Sequence, residues 1–149
     1  MKTKFLVPEF VELMPQSLKD GIVYVSMEYG TVIHNCCCGC GNKVVTPLSP
    51  TDWKLMFDGE NISISPSIGN WSFPCQSHYW IRGGKVEWSG KFSKDEIDEV
   101  RKKDKDKKLK HFEKVSNQEH ESKIQLAQVE EVKLNSISII FRKFASWFH

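Results

Sequence analysis

Cysteine occupies four of five consecutive positions of this chain, and that crowding constrains the fold more than any other feature. The cluster comprises Cys36, Cys37, Cys38 and Cys40. A disulfide framework uses cysteines spread along a chain, whereas thiols this close together in a reducing compartment are free to bind a metal ion. Free cysteines can also be plain buried residues, but burial does not require four of them side by side. The sequence therefore predicts a fold built around one bound metal ion.

A second pair of candidate ligands comes later in the chain, at Cys75 and His78. Zinc takes four sulfur or nitrogen ligands in a tetrahedron, and proteins supply them from tight turns. Gly39 and Gly41 favour such a turn in the cysteine cluster, because glycine adopts backbone angles that other residues avoid. A Rieske-type iron–sulfur site is the alternative, but the first loop lacks the histidine that it requires. We therefore predict zinc, while the spacing leaves open which four candidates bind, a Cys37–Cys40 pair included.

The first ninety residues have the pattern of a small β-rich domain. Runs of β-branched and aromatic residues predict strands at 21–27, 31–34, 43–46, 53–57, 62–65, 79–82 and 85–88. Asp58-Gly59 and Gly83-Gly84 predict the turns of two hairpins. Short strands joined in this way are typical of a small antiparallel β-sheet or an open barrel.

The composition changes after Trp88, where charged residues of both signs follow one another. Ser93 and Glu96 form a capping box, which predicts the start of a helix. Interleaved charges over 91–110 are typical of a solvated helix with local ion pairs rather than of a nucleic-acid surface. A net charge of +2 gives no support for nucleic-acid binding either. Serine, asparagine and glutamine at 116–121 predict a looser stretch before the last segment.

Apolar residues at helical spacing predict an amphipathic helix at the end of the chain. Its apolar face comprises Leu134, Ile137, Phe141, Phe144 and Phe148. This much apolar surface needs a cover, which can be the β-rich part, a second copy or a membrane surface. The cations beside it are too few for strong attraction to lipid. We therefore expect burial within the chain or in a homodimer.

The length and hydropathy of the sequence limit the classes of protein to which it can belong. A chain of 149 residues is long enough for a single modest core. No stretch is apolar enough to span a membrane, and Pro8 and Glu9 interrupt the apolar run that a signal peptide would need. We therefore predict a cytoplasmic α+β protein. Its β-rich zinc-binding domain would cover 1–90, with the charged helix and the amphipathic C-terminal helix at 91–149.

Three segments together resemble a known family. They are residues 34–41 (HNCCCGCG), 46–50 (TPLSP) and 66–81, from PSIGNW to CQSHYWI. The chain is similar to a small family of bacterial zinc-site domains whose usual signature reads H-x-C-P-C-G-C-G, then P-S-I-G-N-W and C-x-S-H-Y-W-I. The resemblance implies that the metal ligands come from Cys36, Cys38, Cys40, Cys75 and His78. Cys37 stands where proline is usual, which implies a bystander or an extra reactive thiol.

Members of that family are often encoded beside bacterial ubiquitin-like modifiers and their activating and conjugating enzymes. The resemblance therefore implies that this chain acts with such a modifier and its conjugation enzymes. In one interpretation it is a peptidase that processes or removes the modifier, using Ser67, Ser77, His78 or a zinc-bound water. In the other it is a non-enzymatic adaptor stabilised by a structural zinc, since closed thiolate sites are usually structural.

The residues alone assign no reaction. The sequence contains no H-E-x-x-H helix, P-loop or G-x-S-x-G elbow. Two loops rich in proline and serine end in Trp53 and Trp71, and they are candidates for the walls of a groove beside the metal. Neighbouring residues on a strand lie on opposite faces, so a Ser77–His78 pair is not expected. His34, close to the cysteine cluster, is interpreted as a supporting or surface residue rather than a ligand.

Overall fold

The chain folds into eight strands followed by one helix. The computed structural model describes the backbone of residues 1–145 and the side chains of residues 1–125 and 128. The strands are β1 (Val7–Phe10), β2 (Ile22–Ser26), β3 (Thr31–Asn35), β4 (Lys43–Pro47), β5 (Lys54–Phe57), β6 (Ile62–Gly69), β7 (His78–Arg82) and β8 (Lys85–Trp88). The helix is α1 (Lys94–Ala145). The predicted α+β class is confirmed, and the strands form two open four-stranded sheets rather than a closed barrel.

The first sheet presents the cysteine cluster. Its strand order is β1-β2-β3-β4, with β1 parallel to β2 and the other pairs antiparallel. β3 and β4 form a hairpin whose last pair is Asn35 with Lys43, so the cysteine cluster is the connecting loop. β1 was not predicted from the sequence. It contains Pro8, which an edge strand tolerates because one side of an edge strand needs no ladder hydrogen bonds.

The second sheet carries the loop at 70–77, which contains the second half of the sequence motif. Its order is β5-β6-β7-β8, and all its pairs are antiparallel. The two predicted hairpins lie here, with turns at Asp58-Gly59 and Gly83-Gly84. Gly69 pairs with His78 where β6 meets β7. The connection between these strands therefore begins directly after Gly69 and delivers Cys75 to one end of the sheet.

The hydrophobic core takes side chains from both sheets. Its most buried members include Val23, Val25, Val32, Ile62, Ile64 and Ile81. Cys36 and Cys37 belong to the same cluster. The alternating burial of β3 and β4 explains this packing, because every second side chain of these strands is buried. The cysteine loop is therefore attached directly to the core.

His34 lies inside this core rather than at the surface. It is completely buried, and its Nε2 atom lies 2.9 Å from the hydroxyl of Tyr79. Burial lowers the pKa of His34 to about 4, so the ring is neutral at ordinary pH. Burial also raises the pKa of Tyr79 far above its usual range, so the phenol keeps its proton. The surface alternative for His34 was wrong, because its strand position alternates with half-buried neighbours and faces inward.

The helix α1 begins as the sequence predicted and continues further than expected. The Ser93 N–H donates to Glu96 Oε2 at 2.7 Å, and the Glu96 N–H donates to Ser93 Oγ at 3.3 Å, which completes the capping box. The ion pair between Lys103 and Glu99 supports the first turns. No break occurs at 116–121, because serine, asparagine and glutamine cost a helix only tenths of a kcal/mol each. The predicted looser stretch was therefore wrong.

Two compact units make up the chain, Met1–Lys103 and the part from Asp104 onward. Side chains at 104–125 are mostly exposed, as expected for a solvated charged helix. The apolar face from Leu134 to Phe148 lies outside the described side chains, so its burial and the homodimer remain predictions. No helix in the described part of the chain is long and apolar enough to cross a membrane.

Replacing Tyr79 with phenylalanine should destabilise the β-rich unit. Tyr79→Phe keeps the ring but removes the hydroxyl partner of His34, whose Nδ1 atom already has no hydrogen-bond partner among the described residues. Leaving a buried polar atom unpaired costs roughly 1–3 kcal/mol. Urea denaturation followed by circular dichroism measures this loss. Tyr29→Phe is the matched control, because Tyr29 is exposed; equal midpoints for the two variants would contradict the prediction.

Candidate functional site

Four thiols converge where the two loops meet. Cys36, Cys38 and Cys40 come from the β3–β4 loop, and Cys75 comes from the β6–β7 loop. Their sulfur atoms all lie within 4.8 Å of one another. The Cys36 sulfur lies 3.4 Å from that of Cys38 and 4.0 Å from that of Cys75, and the Cys40 and Cys75 sulfurs are 3.7 Å apart. The structure therefore assembles four soft donor atoms from both sheets at one point.

The separations fit a tetrahedral metal–thiolate site. Four sulfurs at about 2.3 Å from a central zinc ion would lie about 3.8 Å from one another, and the observed distances of 3.4, 3.7 and 4.0 Å lie on both sides of that value. Thiolates select soft or borderline ions such as zinc and iron. This part of the chain can therefore hold one metal ion through four cysteines.

The tight turn of the cysteine loop depends on Gly39. Its φ angle is +82°, and a Cβ atom at this position would lie 2.8 Å from the backbone oxygen of Met1. The Gly39 N–H donates to the Cys36 carbonyl at 2.9 Å, and the Cys36 N–H donates to the Asn42 carbonyl at 2.8 Å. These bonds fold the loop back on itself, so that three thiols from one short segment face the same point.

The four thiols have different environments before any ion binds. Burial raises the pKa of Cys36 and Cys38. Cys40 is exposed, and hydrogen bonding from the Asn42 backbone lowers its pKa to about 6. The Asn42 side chain also donates to the Cys40 sulfur at 3.2 Å. Cys40 therefore ionises more readily than Cys36 and Cys38, and a bound metal ion would displace the protons of those two thiols.

Cys37 lies outside this group of thiols. It is completely buried in the hydrophobic core beside Tyr79. Burial raises its pKa to about 12, which keeps it protonated and unreactive. This placement favours the interpretation of Cys37 as a bystander over that of an extra reactive thiol.

His78, the fifth candidate ligand, is not brought together with the thiols. Its Nε2 atom lies 2.9 Å from the Oγ atom of Ser67. Ser77, the preceding residue, lies against the thiols instead. Its Oγ atom is 3.1 Å from the Cys36 sulfur and 3.6 Å from that of Cys75. Successive residues of an extended chain face opposite ways, so Ser77 at the thiols leaves His78 on the other side.

Aromatic rings enclose the His78 imidazole. Its ring centre lies 4.5 Å from that of Phe92, 4.8 Å from Trp71 and 5.4 Å from Trp80. Trp71 and Phe92 also stack on each other at 5.2 Å with an angle of 18° between their planes. Burial lowers the pKa of His78, with the backbone of Gly90 acting in the opposite direction. The imidazole is therefore neutral at neutral pH and can accept a proton.

The Ser67–His78 pair was not predicted as a pair. Both residues were candidates, but they lie eleven positions apart and no short motif joins them. The available signal was a hairpin between residues 66–69 and 78–82, which places Gly69 opposite His78. Recognising that hairpin from the sequence would have brought Ser67 close to the histidine. The asparagine donors to the thiols, Asn42 and Asn70, were also missed.

A family model described as bacterial ubiquitination-like system serine protease (BubE) matches residues 10–89 of this chain. The match covers more than half of the 149 residues, and the four converging thiols, Ser67 and His78 all lie within it. The chain therefore belongs to this family. Membership confirms the resemblance found in the sequence, and it makes the chain a peptidase candidate of a bacterial ubiquitination-like system. Comparisons with curated proteins and with solved structures gave no significant match.

Substitution of Gly69 should disturb the aromatic enclosure of His78. The Trp71 indole lies directly on Gly69, and a Cβ atom there would be 2.3–2.5 Å from three of its ring atoms. Gly69→Ala should therefore displace the indole from His78 and Phe92, at a cost of roughly 1–3 kcal/mol. Near-ultraviolet circular dichroism and thermal unfolding measure both effects. Gly90→Ala is the control, because a Cβ atom there meets nothing within 4 Å; identical behaviour of the two variants would refute the expectation.

Proposed function

We propose that this family member is a serine peptidase that processes or removes the ubiquitin-like modifier of its pathway in the cytoplasm. Ser67 is the nucleophile and His78 is the general base. The observation that carries the proposal is the 2.9 Å contact between Ser67 Oγ and His78 Nε2. A serine hydroxyl becomes an effective nucleophile only when a base is within hydrogen-bonding reach. The modifier and its conjugation enzymes are the expected partners.

His78 is suited to both proton transfers of such a reaction. Its neutral Nε2 atom accepts the proton of the Ser67 hydroxyl as Oγ forms a bond to the scissile carbonyl carbon. The resulting imidazolium donates that proton to the leaving amine as the C–N bond breaks. Water then attacks the acyl-enzyme with His78 again as the base, which releases the carboxylate and regenerates Ser67. Burial, which lowers the pKa of His78, keeps the free base available at neutral pH.

The pair has no acidic third member among the described residues. The His78 Nδ1 atom is buried without a hydrogen-bond partner in that part of the chain. The ring is held instead by Trp71, Trp80 and Phe92, and it interacts with the backbone of Gly90. We propose that this packing fixes the ring plane, which is the orienting role that an aspartate has in a triad.

Contacts on the metal side argue against Ser77 as the nucleophile. Its Oγ atom accepts a hydrogen bond from Asn70 Nδ2 at 2.8 Å and lies 3.1 Å from the Cys36 sulfur. A metal-bound thiolate can only accept hydrogen bonds, so the Ser77 hydroxyl would donate its proton to that sulfur. Of the two candidate serines, Ser67 is then the one whose hydroxyl can give its proton to a histidine.

We propose that the metal is zinc and that its role is structural. Four cysteine ligands close a tetrahedral site, whereas catalytic zinc sites keep one position open for water or substrate. The ligands are Cys36, Cys38, Cys40 and Cys75. Such an ion would fasten the β3–β4 loop to the β6–β7 loop. His78, the remaining sequence candidate, then serves the reaction rather than the metal.

An adaptor without hydrolytic activity is the second candidate function. The observation that favours it is the enclosure of His78, which is only 6% exposed. Ser67 is only partly buried, so a substrate would have to approach the pair from the side of the serine. An adaptor would bind the modifier without changing its mass, and this difference separates the two functions.

Loss of Ser67 should abolish processing of the modifier. Incubation of the wild-type protein with the modifier encoded beside it, read by intact mass, should show cleavage, and Ser67→Ala and His78→Ala should reduce the rate by roughly 10³-fold or more. Ser65→Ala is the matched control on the same strand, because Ser65 is exposed. An unchanged modifier with the wild-type protein favours the adaptor. Full activity of Ser67→Ala would overturn the assignment of the nucleophile.

Elemental analysis of protein purified without added metal should find about one zinc per chain. Cys75→Ser should lose the zinc and unfold, because binding energy on the order of 10 kcal/mol for structural zinc is also folding energy. Cys37→Ser and His78→Ala should keep both zinc and fold. Iron with visible absorbance would contradict the identity of the ion. Loss of zinc from His78→Ala alone would show that the histidine is a ligand after all.

A further inference from the structure

We propose that Asn70 is a positioning residue that connects the metal site to the Ser67–His78 pair. This inference rests on the proposed function, and it assigns a role to a side chain that touches neither the substrate nor the reacting atoms. Asn70 is nearly completely buried. Its side-chain Nδ2 atom lies 2.8 Å from the Ser77 hydroxyl and 3.8 Å from the Cys36 sulfur.

Asn70 closes the loop that supplies Cys75. Its backbone N–H donates to the Ser77 carbonyl at 2.9 Å, and its side-chain Nδ2 donates to the Ser77 hydroxyl at 2.8 Å. Its own carbonyl accepts a hydrogen bond from the Phe73 N–H at 3.1 Å. One residue therefore joins both ends of the loop and also supports its first turn.

The two reacting residues flank this closed loop. Ser67 lies three positions before Asn70 on β6, and His78 follows Ser77 directly at the start of β7. Gly69, next to Asn70, pairs with His78 in the sheet. We therefore expect a shift of Asn70 relative to Ser77 to change the distance between the serine oxygen and the imidazole nitrogen.

When Cys36 binds a metal, each hydrogen bond from Asn70 through Ser77 to the Cys36 sulfur has only one possible donor. An amide NH₂ group only donates and a metal-bound thiolate only accepts. The Ser77 hydroxyl therefore accepts from Asn70 at 2.8 Å and donates to the Cys36 sulfur at 3.1 Å. Asn70 Nδ2 also lies 3.8 Å from that sulfur. Buried groups that support metal ligands in this way are sensitive to substitution, typically by 10–100-fold in affinity or activity.

The loop needs such a support because part of it is strained. Gln76 adopts a φ angle of +42°, in the left-handed region that residues with a side chain seldom enter. Strained backbone persists only where surrounding contacts hold it. Gln76 lies between Cys75, a proposed metal ligand, and the consecutive residues Ser77 and His78. Without the bonds from Asn70, the loop would relax at the point that places His78 against Ser67.

Asn42 provides a matched comparison within the same site. Its side chain also donates to a site sulfur, that of Cys40, at 3.2 Å. That contact lies on the exposed side of the thiol group, in the β3–β4 loop rather than in the loop that flanks the reacting pair. Both asparagines have a side-chain amide near a sulfur of the thiol group, but of the two it is Asn70 that donates to Ser77.

The experiment compares wild-type protein with Asn70→Ala and Asn42→Ala, each purified with its metal. Three quantities are measured: metal per chain, the rate at which a fluorophosphonate labels Ser67 over a range of pH, and the ¹⁵N chemical shift of His78 Nε2. We expect Asn70→Ala to keep its metal while labelling slows by about 10-fold or more, since small misplacements of reacting groups can cost up to about 10²-fold. The His78 signal should move towards that of an imidazole without a serine partner. Asn42→Ala should label within about twofold of the wild-type rate, because it leaves Ser77 in place.

Ser77→Ala provides a second route to the same conclusion if Asn70→Ala fails to fold or loses its metal. It removes the hydroxyl that receives the bond from Asn70, so it should slow labelling and move the His78 signal in the same way. Where both single variants fold, the double variant should be no slower than the slower single one, because both changes break one connection. Additive effects, or unchanged labelling and an unchanged His78 signal in Asn70→Ala, would overturn the inference. Equal slowing by Asn42→Ala at full metal content would overturn it as well.

The outcome for the wild-type protein separates this inference from the proposed function. If the fluorophosphonate does not label Ser67 in the wild-type protein, the serine peptidase assignment fails, and the positioning role fails with it. If the wild-type protein is labelled and Asn70→Ala is labelled equally fast, the peptidase assignment stands and the role of Asn70 is wrong.

Discussion

The meeting of sulfur atoms from two loops is the constraint on which the rest of the fold depends. Every described strand except β6 spans only four or five residues, and a small core of this kind leaves little stability to spare. The Cys75 sulfur, from a loop of the second sheet, lies within 4.8 Å of three thiol sulfurs from a loop of the first. Cys36 belongs to both the thiol group and the hydrophobic core. The junction is therefore fixed to the core, and both loops are held at the same point.

The side chains of residues 77–79 alternate between two sides of an extended segment, and the two sides contact different groups. Ser77 and Tyr79 lie on the same side, where Ser77 contacts the Cys36 sulfur and Tyr79 contacts buried His34. His78, between them, lies on the other side against Ser67. The period of two in an extended chain thus separates the thiol group from the serine–histidine pair. This separation allows a metal ion to stabilise the segment without occupying the histidine.

Local signals predicted much of the fold, while the pairing of distant side chains decided the site. The hairpin turns at Asp58-Gly59 and Gly83-Gly84, the capping box of α1 and the crowded cysteines were all evident from neighbouring residues. The C-x2-H spacing suggested that Cys75 and His78 face the same ion. The spacing misled because it does not report the φ angle of +42° at Gln76. That angle and the alternation after it place Ser77, not His78, at the thiols. The contact of His78 with Ser67 depends on a strand register across eleven residues, which composition does not encode. β1 escaped prediction because an edge strand containing proline and glutamate lacks the usual apolar pattern.

The charge distribution around His78 explains why its geometry has to be held so firmly. In a triad, a buried carboxylate stabilises the imidazolium that forms during proton transfer. Among the described residues no carboxylate pairs with His78 Nδ1, and the ring is packed against aromatic groups. The face of an aromatic ring favours a cation by only about 0.5–2 kcal/mol. A pair of this kind gains less from charge and must gain more from the alignment of its two reacting atoms. In the proposed peptidase, a closed thiolate site that fixes the adjoining loop would supply that alignment, and a metal ion held there would take no part in the reaction.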